Sequence, residues 1–62
     1  MLVRVNSGRI INLLHVAEII VRDDTGDPYR VVLDDGSIIN ISENYREHFI
    51  NKTREFNFFF KK

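Results

Sequence analysis

The sequence predicts a mainly β domain of the β-rich α+β class: about five short antiparallel strands closed by one C-terminal helix. Three observations predict it. Short runs in which apolar and polar residues alternate recur up to residue 41, which is the period of half-buried strands. Turn signals at Asn6-Ser7-Gly8, Asp23 to Pro28 and Asp35-Gly36 separate those runs. From Glu43 the apolar spacing lengthens to that of a helix. Short connections favour antiparallel strands that pair in sequence order.

The first strand is expected over residues 2–6, with Val3 and Val5 inward and Arg4 outward. The second is expected over 9–13, pairing with the first across Asn6-Ser7-Gly8. Alternation breaks at Leu14-His15-Val16, which reads as a helical turn or an irregular corner. The third strand is expected over 18–22, with Ile19 and Val21 inward. An acidic loop follows and ends in Pro28, which has no amide to give to a ladder.

The fourth and fifth strands, 29–33 and 38–41, flank Asp35-Gly36, read as the positive-φ pair of a two-residue hairpin turn. Tyr29, Val31 and Leu33 share one face of that hairpin, opposite Ile39 and Ile41. Ser42 is suited to cap a helix over about 43–55. In that helix Tyr45, Phe49, Ile50, Thr53, Phe56 and Phe60 form one stripe. The segment from Phe56 to Phe60 also alternates as an edge strand would, and phenylalanine favours strands over helices.

Sixty-two residues make one domain with a modest core. The chain has no cysteine to staple it. Association is the remaining route to stability, so a homo-oligomer or a protein partner is expected. Met1-Leu2-Val3-Arg4 lacks a signal-peptide layout and no run approaches membrane-spanning length, so the expected location is cytoplasmic, off the membrane. Asn40-Ile41-Ser42 and Asn51-Lys52-Thr53 match the glycosylation pattern by chance on that reading.

The net charge is zero, but it is unevenly spread. Residues 1–17 carry Arg4 and Arg9 and no acid. Residues 18–35 carry Glu18, Asp23, Asp24, Asp27, Asp34 and Asp35 against Arg22 and Arg30. Residues 36–62 are weakly basic. An acidic middle is not the footprint of a strong nucleic-acid binder, although Arg4, Arg9, Arg46, Lys52 and Arg54 make a phosphate-facing surface if the first strand lies beside the helix.

Catalytic and cofactor chemistry find no foothold in this pattern. The five aspartates lack the spacing of a calcium loop, and turn chemistry accounts for them. His15 and His48 make no recognisable metal-ligand set: His15 belongs to the corner and His48 to the helix surface. Ser7, Ser37 and Ser42 sit at turns or a cap, and the three glycines are scattered rather than gathered in a phosphate loop. A chain this small has little room for a substrate cleft. The expectation is a non-enzymatic protein with no cofactor, no metal and no small-molecule substrate.

Arg4, Ile10, Ile11, Asn12, Leu13, His15, Val16 and Ile19 fall at the spacing of the second half of LytTR-type DNA-binding domains. Asp35-Gly36, Ile39, Ile41, Ser42 and Tyr45 follow in that order too. The chain therefore resembles the C-terminal half of such a domain over residues 3–53. The resemblance implies an elongated stack of sheet elements whose loops reach DNA grooves. The family's contact positions fall at Asn6, Ser7 and Asn44, and Arg9 and Arg46 stand near them as substitute phosphate contacts, not as matches. Asn6 stands where the family has a histidine, and Glu43 and Asn44 stand where it has basic residues.

Asn6-Ser7-Gly8, Asn12, Glu18-Ile19, Asp35-Gly36 and the chain length also resemble small FlbD-like flagellar proteins, though the early spacing is off by a residue. The expected architecture is thus SH3-like or half-LytTR. The expected function is a binding module in bacterial or phage regulation, self-associating and DNA-binding in the LytTR form. The alternative is a protein–protein adaptor or anti-regulatory protein without nucleic-acid contact. Phe56, Phe58, Phe59 and Phe60 are the expected protein interface.

Overall fold

The structure is a computed structural model and describes residues 1–55. Strand β1 spans Leu2–Asn6 and β2 spans Arg9–Asn12. A 3-10 turn at Leu13–His15 leads to β3, Val16–Val21. Then come β4, Pro28–Leu33, and β5, Ile38–Asn40. A second 3-10 turn, Glu43–Tyr45, opens helix α1, Arg46–Glu55. The fold is mainly β, with antiparallel sheets of two and three strands and one helix after them.

Pairing follows sequence order except between β2 and β3, which are not bonded to each other. Asn12 is the cause. Its side-chain carbonyl accepts the Leu14 amide at 3.0 Å, which bends the chain into the 3-10 turn and ends β2 one residue early. The Leu13 amide still donates to the Met1 carbonyl at 2.9 Å. Beyond the turn, β3 begins at Val16 rather than at residue 18, because the Asp34 amide reaches the His15 carbonyl at 2.8 Å.

The two sheets join at Val5. The ladder pairs Arg4 with Ile10 and Asn6 with Arg9, leaving Val5 as the extra residue of a bulge. Its carbonyl accepts the Ser42 amide at 2.8 Å. Beside it, the Asn6 side-chain amide donates to the Asn40 carbonyl at 3.1 Å. The β4–β5 turn differs from the expected two-residue loop. The Gly36 amide donates to the Leu33 carbonyl, and the Leu33 amide donates to the Ser37 carbonyl, each at 2.9 Å. Asp34, Asp35 and Gly36 thus form a three-residue loop in which Gly36 alone of the Asp-Gly pair needs the left-handed region, at φ 89°.

Ile19, Val31 and Ile39 pair across β3, β4 and β5 and form the inner row of the larger sheet. Val31 and Ile39 are buried and Ile19 packs against them. Val21 does not face inward as expected. The ladder skips Tyr29 between the pairs Ile20–Arg30 and Val21–Pro28, and that irregularity leaves Val21 exposed. Pro28 is buried and opens β4, where its missing amide costs no ladder bond.

Helix α1 closes the core. Phe49 is fully buried with Val3, Val5, Ile11, Leu13, Val16, Val31, Ile39 and Ile41. Thr53 is also fully buried, and its hydroxyl donates to the Ile50 carbonyl at 2.8 Å. The helical stripe is therefore real through Thr53; its members Phe56 and Phe60 lie outside the described residues. Ser42 stands at the cap position, but its side chain makes no capping bond. The 3-10 turn satisfies the start instead, with the Tyr45 amide on the Ser42 carbonyl at 2.9 Å. No helix among the described residues is long and apolar enough to cross a membrane.

Candidate binding surface

The candidate DNA-contact residues divide into committed and open ones. Asn6 is committed at both ends: its carbonyl oxygen accepts the Gly8 amide at 3.0 Å and its amide nitrogen bonds to Asn40. Reading a base edge needs those same atoms. Arg4 folds over the β1–β2 turn and donates to the Ser7 carbonyl at 3.0 Å. Arg46 is half-buried and its Nε has no acceptor among the described residues. Ser7, Arg9 and Asn44 are exposed. The interface candidates Phe56, Phe58, Phe59 and Phe60 lie outside the described residues.

Helix α1 does pack beside β1, the condition set for a basic face. Lys52, however, pairs with Glu55 at 3.6 Å within the helix. A polar network that sequence patterning did not single out lies on the outer face of the larger sheet, opposite the buried Val31 and Ile39, and meets β1 through the Asn6–Asn40 bond. Arg30 donates through Nε to the Asn40 side chain at 3.0 Å and lies over the Tyr29 ring at 5.1 Å from its centre.

The histidines and aspartates are surface groups. His15 approaches Asp34 at 3.5 Å, with both side chains mostly in solvent. His48 is exposed on α1. The Ser37 hydroxyl and then its amide, which lies 2.9 Å from the carboxylate, hold the Asp35 carboxyl below its ordinary pKa. The Arg22 guanidinium, 3.4 Å away, does the same for Asp24. Among the described residues no three His, Asp or Glu side chains gather to hold a metal. Asp23, Asp24, Arg22, Val21 and Tyr29 line an open surface hollow of about 430 Å³.

A second surface went unmarked by sequence reasoning. Leu2, Ile10 and Leu14 are 66%, 52% and 62% exposed, and exposed apolar side chains are informative where they lie together. They are neighbours. Leu2 pairs with Asn12, Arg4 with Ile10, and the Leu14 amide rests on the Asn12 side chain. These residues mark the outer face of the small sheet. The signal was in the sequence: Ile10 and Ile11 are adjacent in one strand, so only one of them can face the core. Ile11 takes the core.

The backbone of β2 is open on the same side. Successive residues of an antiparallel ladder alternate between bonding the partner and facing away from it. Leu13 bonds Met1, so Ile11 bonds Val3, and the amides and carbonyls of Ile10 and Asn12 face away from β1. No strand among the described residues pairs with that edge. Compared with protein-family models, curated proteins and solved structures, the chain matches none.

Proposed function

We propose that this protein is a non-enzymatic binding module that presents the β1–β2 hairpin to another polypeptide. The observation that carries the reading is the coincidence of two features on one hairpin. Leu2, Ile10 and Leu14 form an exposed apolar patch, and the adjoining β2 edge offers the backbone groups of Ile10 and Asn12. An open edge with apolar residues beside it recruits an extended strand: main-chain bonds supply affinity and the side-chain row supplies selectivity. Arg4 and Arg9 flank the patch and no acid lies within residues 1–17, so the hairpin favours an acidic strand.

DNA binding is the second reading, supported by the resemblance and by the exposure of Arg9, Ser7 and Asn44. It has fewer free groups than the resemblance implies, because both ends of the Asn6 side chain are bonded within the fold. One experiment separates the two. Proteins retained from a source-cell extract by the immobilised full chain are compared with those retained by Ile10→Asp, alongside duplex binding at low salt. The protein-binding reading expects retained proteins that Ile10→Asp loses. Duplex binding that falls steeply with salt, weakens in Arg9→Ala and survives in Ile10→Asp contradicts it.

A further inference from the structure

We propose that the strand this hairpin receives is β3 of a second copy, so that copies join head to tail; the inference rests on the hairpin being the binding surface. Of the four edge strands, β1 and β5 are tied together through the Val5–Ser42 and Asn6–Asn40 bonds, which leaves β2 and β3 as the open edges among the described residues. Their backbone groups correspond. Leu33 bonds Ser37 and Tyr29 bonds Ile41, so Tyr29, Val31 and Leu33 turn to β5, while Arg30 and Val32 turn to β3 and bond Ile20 and Glu18. Ile19 and Val21 therefore face the open edge of β3, as Ile10 and Asn12 face that of β2. An antiparallel join of these groups brings the end of β2 that carries Arg9 to the end of β3 that leads into Asp23.

Charge selects this contact over a two-fold one. Joining β2 to β2 brings Arg4 and Arg9 of one copy toward those of the other, with no acid in residues 1–17 to offset them. Joining β2 to β3 sets them instead against Glu18, Asp23, Asp24 and Asp27, all exposed. Asp23 and Asp27 make no side-chain ion pair among the described residues, so they are open to a cation from outside. A heterologous contact of this kind repeats, giving rings or open chains rather than a closed dimer.

Sedimentation velocity of the purified full-length protein over a concentration series tests the proposal, with Arg9→Glu, Asp23→Lys and the double variant run beside it. Both substitutions are at exposed positions, and circular dichroism checks that each variant is folded. The expected result is species larger than a dimer, association weakened at least tenfold in each single variant, and recovery in the double variant. A monomer at all concentrations overturns the proposal. So does a dimer indifferent to Asp23→Lys, which is the outcome of two-fold β2 pairing. In either case the hairpin reading is judged separately, by whether Ile10→Asp abolishes capture of other proteins.

Discussion

Asn6 ties the β1–β2 turn to its own strand through the Gly8 amide and ties the small sheet to the large one through the Asn40 carbonyl. Asn6→Ala removes both bonds and is expected to lower stability by about 1–2 kcal/mol, read from urea unfolding. Asn6→Asp keeps the acceptor for Gly8 and loses the donor for Asn40, so it isolates the inter-sheet bond. Gly36 holds φ at 89°, and Gly36→Ala is expected to cost about 1–2 kcal/mol by forcing a side chain into the left-handed region. Asp35 gives a pH signature. Its folded pKa is depressed, so its contribution is complete above the unfolded value near ~3.9 and is lost as pH falls through the lower folded value. The melting-temperature gap between the wild type and Asp35→Ala should be present at pH 7 and close below that range. Turn roles of this sort were readable in sequence, since Asn, Asp and Gly carry their own local bonding. The inter-sheet bond was not, because it joins residues 34 positions apart.

At the scale of elements, the strands and the helix were largely legible, and their irregularities were not. Alternation located all five strands to within two residues at each end. It could not show the ladder irregularities that release the Val5 carbonyl toward Ser42 and leave Val21 in solvent, because each depends on a partner strand. The helix stripe identified Phe49, whose burial is complete. Phe49→Ala is expected to cost about 3–5 kcal/mol. Against a total of about 0.05–0.15 kcal/mol per residue, that removes most of the stability, and the variant should lose its cooperative melt. The β2 edge is the counterpart at the surface. Its exposure follows from the Asn12 turn, which separates β2 from β3, and no pattern of apolar residues announces such a separation.

The whole molecule carries zero net charge in unequal parts, a basic hairpin and an acidic β3–β4 region. That division explains why a neutral chain can present a charged binding surface, and why its own copies are suited to occupy it. Sequence composition showed the division; only the fold showed that each part lies at an open sheet edge. Amide hydrogen exchange, followed residue by residue over a dilution series, tests this account most directly. Ile11 and Leu13, bonded to β1, should be protected at every concentration. Ile10 and Asn12 should exchange fast in the dilute protein and slow as copies associate. Protection of Ile10 and Asn12 in the dilute monomer would contradict the claim that β2 is an open edge, and fast exchange there at every concentration would contradict the claim that copies of this protein join through it.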